Sequence, residues 1–222
     1  MCGRYSLTIR KKDIVDRFEV VDAGPELPPR YNIAPTQPAR LVVPSAGGRR
    51  LAEARWGLPA PRDRTGRGLI NARAETLQEK ALFRRLLDFR RCAVPADGFY
   101  EWQASGGRKR PWHFSLADGA LFAFAGLWDE SADAGPAFLI LTTTPNSLVA
   151  PVHNRMPVIL RPGQESGWLD PDTPFAALDP AWRAPFPADA MRAAEVGRAV
   201  NNVRTDSPAC LAPPPPPQRE LF

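Results

Sequence analysis

The chain has 222 residues, 44% of them apolar, with a formal net charge of +5. That is enough for one domain with a sizeable core, and no apolar run approaches the ~18 residues of a membrane span, so no membrane association is expected. No apolar leader pattern opens the chain, and three widely spaced cysteines (Cys2, Cys92, Cys210) form neither a metal-ligand pattern nor a disulfide framework; a reducing, cytoplasmic setting without metal or cofactor is expected.

The charge is unevenly spread. Residues 1–111 carry 22 Lys+Arg against 12 Asp+Glu, whereas residues 112–222 carry 7 against 12. A basic half fits a polyanionic partner, and equally a solvated basic surface. Of the basic residues 25 are Arg and 4 are Lys; Arg suits bidentate phosphate contact, although a GC-rich genome gives the same bias.

In chain order, "DIVDRFEV" places Ile14, Val15 and Phe18 at helical spacing. "PRYNIAPTQPAR" reads as an ordered loop. "ARLVVPS", Gly47-Gly48 and "LAEARWGL" read as a hairpin. "TLQEKALFRRLLDFRR" is the clearest helix, with Thr76 and Glu79 as a capping box and Leu82, Phe83, Leu86 and Leu87 on one face. Strand-like runs follow: "CAVPA", "GFYEWQ", "PWHFSLA", "ALFAFAGLW", "AFLILTTT" and "RMPVILRP". Short turns between them suit antiparallel neighbours. "ESGWLD" and "AMRAAEVG" read as short helices, and Pro213–Pro217 as an extended polyproline II spacer. Many strands, few helices and no βαβ alternation predict an α+β fold with a mostly antiparallel, barrel-like sheet and flanking helices. Residues 1–211 are expected to form one domain, residues 212–222 a proline-rich tail, and the protein a monomer.

Four polar residues stand apart from their surroundings: Cys2 behind Met1, Asn71 in "INARAET", Glu101 in the apolar "GFYEW", and His153 in "HNRMP". Singly, each has an ordinary explanation: a turn Asn, a solvent-facing Glu, a hydrogen-bonding His. Cys2 differs, because removal of Met1 would leave an α-amine and a thiol on adjacent carbons.

Together with that opening, "CGRYSL", "PRYNIAPTQ", "RWGL", "INARAET", "CAVPADGFYEW", "LTTTPNSLVAPVHNRMPVIL" and "VNNVRTDSP" resemble the motifs of the SRAP family, the SOS-response-associated peptidase-like proteins that shield abasic sites in single-stranded DNA. The resemblance runs from Cys2 to about Pro208 and implies a reaction. The ring-opened deoxyribose of an abasic site is an aldehyde, and an amine attacks it only when unprotonated. With reference pKa values of ~7.7–8.0 for an α-amine and ~10.4 for lysine, roughly one α-amine in ten is free at pH 7, against fewer than one lysine in a thousand. The Cys2 amine would form a Schiff base, and its thiol would close a thiazolidine on the same carbon, favoured by effective molarity.

By the same resemblance Glu101 would shuttle protons, His153 would assist ring opening as a second acid/base, and Asn71 would hold the Cys2 end and the sugar. Self-processing that exposes the Cys2 amine would be a secondary, peptidase-like activity. Arg4, Arg73 and Arg155, each within two residues of one of these positions, would meet phosphates; Thr142 would join the pocket, and Asn32 and Pro35 would shape its wall. Trp56 is either a stacking platform for a base or a core tryptophan. The terminal "QRELF" resembles the Q-x-x-L-F peptide that docks bacterial proteins onto the replication sliding clamp, through Gln218, Leu221 and Phe222, or else is a frayed tail. Two rivals remain: an N-terminal-nucleophile hydrolase acting through sulfur, and a non-covalent single-stranded nucleic-acid-binding module.

Overall fold

The structure is a computed structural model and describes residues 2–26, 28–60, 65–130 and 135–216. In chain order these form β1 (Tyr5–Leu7), α1 (Lys11–Phe18), β2 (Val20–Asp22), β3 (Arg30–Ile33), β4 (Pro38–Ser45), β5 (Gly48–Trp56), β6 (Asn71–Arg73), α2 (Ala81–Phe89), β7 (Arg91–Ala96), β8 (Gly98–Ser105), β9 (Arg108–Leu116), β10 (Phe122–Asp129), β11 (Ala137–Thr143), β12 (Met156–Pro157), β13 (Ile159–Leu160), α3 (Gln164–Leu169) and β14 (Met191–Glu195), with short 3-10 turns between them. No helix among the described residues is long and apolar enough to cross a membrane.

The strands form two sheets, and the fold is α+β with mostly antiparallel pairing. One sheet runs β14-β9-β8-β1-β3 and is antiparallel throughout. The other runs β12-β11-β10-β7-β4-β5-β2, and β11 also pairs with β5 in parallel, which closes β5, β4, β7, β10 and β11 into a ring. β7 and β11 are buried along their whole length, which is why they read as continuous apolar runs rather than alternations. Gly126 on β10 permits the close flanking: a Cβ there would lie 2.8 Å from the Cys92 sulfur and 2.9 Å from the Leu139 carbonyl oxygen. Inside, Trp56 stacks on Phe138 and meets Tyr5 edge-on, with centroids 6.1 and 5.3 Å apart.

Several expectations are corrected. Arg30–Ile33, expected as loop, pairs antiparallel with β1; three prolines nearby hid a four-residue strand. There is no capping box at Thr76, whose backbone is non-helical inside a 3-10 turn, and α2 starts after Lys80 without a side-chain cap. Its buried face is Phe83, Leu86 and Leu87, with Leu82 exposed. "RMPVILRP" splits into β12 and β13 because Val158 between them donates to Leu141 and accepts from Ala125. Met191–Glu195, expected as helix, extends β9 as an edge strand; its alanine content masked a period of two. Of the tail, residues 212–216 are described, and they lie against the rest of the fold. The Gly197 N–H donates to the Ala212 carbonyl at 2.8 Å, and Pro214–Pro216 wall a groove against β9.

Candidate active site

The inner position of β1 brings the start of the chain to Glu101. β1 pairs with β8, and the Tyr100 N–H donates to the Arg4 carbonyl at 2.9 Å, so the line continued carries Cys2 beside the next β8 residues. Cys2 is fully buried, with its sulfur 3.8 Å from the Arg4 carbonyl oxygen. Asn71 opens β6, which pairs in parallel with β11; its Nδ2 donates to the Cys2 carbonyl at 2.7 Å. Asn71 Oδ1 is buried and has no hydrogen-bond partner among the described residues. His153 precedes β12, on the other side of β11, and its Nδ1 lies 3.8 Å from Glu101 Oε1. Cys2, Asn71, Glu101 and His153 thus converge from four separate segments.

Burial sets the protonation of this group. It pushes the Glu101 carboxyl above the ordinary glutamate value, with the neighbouring His153 pulling partly back. The Cys2 thiol is pushed far above the usual thiol range, first by burial and then by the charge of Glu101. A thiol so placed stays protonated at neutral pH. His153 Nδ1 lies 3.0 Å from the backbone N–H of Arg155, which donates to it, and 3.1 Å from the Arg155 carbonyl oxygen, so this one residue holds the ring edge in place.

The loop carrying His153 is anchored by Arg155. Its guanidinium holds Glu75 through two bonds of 2.8 Å and donates to the Thr142 carbonyl at 2.6 Å, and hydrogen bonding to Arg155 keeps the Glu75 carboxyl below the usual carboxylate range. Outside lies an open cleft of about 490 Å³ lined by Arg4, Glu101, Trp102, Lys109, His153 and Asn201.

The residues expected to touch DNA divide into two sets. Arg4 lines the cleft, with its guanidinium over Trp102 and one nitrogen donating to Asn32 Oδ1 and the Val200 carbonyl. Arg73 is exposed and Pro35 half-buried. Arg155 spends its fork on Glu75. Asn32, Trp56 and Thr142 are fully buried, and for Trp56 this is the placement of a core tryptophan. Asn32 donates to the carbonyls of Asn202 and Thr205 and fastens that loop to β3. Thr142 Oγ1 donates to the Ala72 carbonyl at 3.3 Å. The Trp56 indole donates to the Ile70 carbonyl at 2.9 Å and offers no face to a base. Gln218, Leu221 and Phe222 lie outside the described residues.

Sequence reasoning missed Trp102, Lys109, Asn201 and Glu75. Trp102 follows Glu101, and strand alternation would have aimed it the other way. Asn201 sits in "VNNVRTDSP", where its Oδ1 accepts from the Trp102 indole at 2.7 Å. Lys109 is near the tip of the β8–β9 hairpin, where nothing in the sequence marks its approach to the cleft.

A profile of the SOS response associated peptidase (SRAP) family matches residues 1–203. The chain is 39% identical over 221 residues to the abasic site processing protein YoaM of Bacillus subtilis, covering 95% of this chain and 97% of that one. It is 29% identical to the abasic site processing protein YedK of Escherichia coli, covering 96% and 100%. Among solved structures, a Bacteroides thetaiotaomicron protein of 24% identity superposes with a TM-score of 0.82 over 96% of this chain and 99% of that one. A phage-related protein of Bordetella bronchiseptica, 30% identical, gives 0.71 over 88% and 94%.

Proposed function

The chain belongs to the SOS response associated peptidase family, and from that premise we propose that it acts in the DNA-damage response on abasic sites in single-stranded DNA, capturing the lesion covalently through Cys2 once Met1 has been removed. The supporting observation is the convergence of Asn71, Glu101 and His153 on the Cys2 end of the chain.

The steps balance without an oxidant or cofactor. Glu101 takes a proton from the Cys2 ammonium, and the freed amine attacks C1′ of the ring-opened sugar. The nitrogen then gives up its two remaining protons, which His153 and Glu101 relay to the departing oxygen; the oxygen leaves as water, giving the imine. The thiol then adds across the C=N bond: sulfur bonds to carbon, its proton passes to nitrogen, and the thiazolidine closes. A carboxyl whose affinity for protons is raised by burial suits a group that must both accept and donate a proton in one reaction. The buried Asn71 Oδ1 offers an acceptor to a sugar hydroxyl, while Nδ2 fixes the Cys2 backbone. A buried thiol held in its protonated form favours attack by nitrogen before sulfur, and so favours the crosslinker over a sulfur-first hydrolase.

The same acid/base pair serves self-processing, in which the peptide bond before Cys2 is hydrolysed. We read residues 1–211 as one domain acting as a monomer, with Gln218–Phe222 as a sliding-clamp ligand whose binding should vanish in Leu221→Ala/Phe222→Ala. For the main reading, the protein is mixed with single-stranded DNA holding one abasic site and run on a denaturing gel. A shifted band for the parent and none for Cys2→Ala supports it; equal bands, or none in either, refute it.

A further inference from the structure

We propose that the β8–β9 hairpin and the C-terminal prolines enclose a second groove, which takes the phosphodiester backbone of single-stranded DNA away from the reacting sugar. The inference rests on the abasic-site reading and extends it to a surface outside the reacting pocket.

The groove measures about 730 Å³. One wall carries Arg108, Lys109 and Arg110 from β9, and the facing wall carries Arg198. The opposing charge is Glu195, whose Oε2 lies 3.3 Å from Arg110 Nη1, so the lining stays net positive. Arg108, Lys109 and Arg198 are exposed. The third side is Pro214–Pro216, held in place where the Gly197 N–H grips the Ala212 carbonyl. Proline has no N–H, so this side cannot donate to phosphate; it confines the groove and leaves anion recognition to the guanidinium and ammonium groups.

Continuity identifies the occupant. Lys109 lines both this groove and the Glu101–His153 cleft, so the two spaces meet at a single cation. A strand whose damaged sugar sits at Glu101 can pass Lys109 and meet Arg108 and Arg198 next. Arginine forks on successive phosphates position a strand without reading its bases, as a lesion sensor indifferent to sequence requires.

The test compares the full-length parent with Arg108→Gln/Arg198→Gln, titrating labelled, undamaged oligo-dT at several salt concentrations. Each phosphate contact on a single strand contributes ~0.7 to the slope of log K against log [salt], so losing two lowers its magnitude by about 1.4. The expected result is that reduction, with the crosslink yield on saturating abasic DNA equal to the parent's. An unchanged slope overturns the proposal, as it would if an acidic peptide were the true ligand. Loss of the crosslink plateau in the variant also overturns it, because the arginines would then belong to the reacting pocket. A reduced slope in a protein whose parent never crosslinks upholds the groove while removing the abasic-site reading.

Discussion

The Asn71 side-chain amide donates to the Cys2 carbonyl at 2.7 Å, joining residues 69 apart in sequence. This one bond fixes the start of the chain against β6 and orients the backbone from which both the amine and the thiol of Cys2 project. Asn71→Ala removes it together with the unpartnered Oδ1. Single-turnover crosslinking should slow by on the order of tenfold, the equivalent of ~1.4 kcal/mol of barrier. Non-covalent affinity for undamaged DNA, measured in parallel, should stay near the parent's.

Glu101 couples stability to activity with opposite signs. Its carboxyl titrates higher in the folded protein than in the unfolded chain, so its stabilising contribution is full below the unfolded value near ~4.3. That contribution is lost as pH rises through the folded value, above which the buried carboxylate is a net cost. Glu101→Gln should therefore gain in melting temperature relative to the parent as pH is raised through that value, by about 2–4 °C per kcal/mol recovered, while crosslinking falls at least tenfold. Parallel thermal melts and rate measurements check both signs.

His113 supplies a pH dependence outside the site. Burial pushes its ring down to about 4; Ser6 Oγ lies 3.2 Å from Nε2, Tyr100 packs against it, and a Cβ on Gly98 would lie 2.0 Å from Nε2. Asp97 acts in the opposite direction and Arg192 in the same one, both as smaller effects. The unfolded chain takes up this proton near ~6.5 and the folded one near 4, so stability should decline as pH falls between those values. Urea unfolding at pH 7 and pH 5 should show the decline in the parent and a smaller one in His113→Gln.

Trp56 should matter to the fold and not to DNA. Trp56→Ala empties the space between Tyr5 and Phe138 and should cost about 3–5 kcal/mol. Trp56→Phe should cost less and leave the affinity for single-stranded DNA unchanged. A weakened DNA affinity in a normally folded Trp56→Phe would contradict the placement of this ring in the core.

Most of the ring of strands was legible because its members are short apolar runs bounded by turns, whereas Cys2, Asn71, Glu101 and His153, each ordinary when taken singly, were brought together only by the motifs that carry the family resemblance. What escaped was decided by tertiary contacts. Met191–Glu195 becomes a strand because β9 offers it an edge, and Arg30–Ile33 because β1 does. Trp56 carried two open readings because a sequence does not say which side of a strand faces the core. Glu75 and Lys109 were missed because their partners lie 80 residues away along the chain or across a cleft.

Mass spectrometry of the purified protein–DNA adduct tests the central claim most directly. The account predicts a cross-linked peptide that begins at Cys2, lacks Met1, and carries the sugar C1′ joined to both the terminal nitrogen and the sulfur. An adduct on Lys109 or any other side chain, or on a chain that still holds Met1, would contradict it.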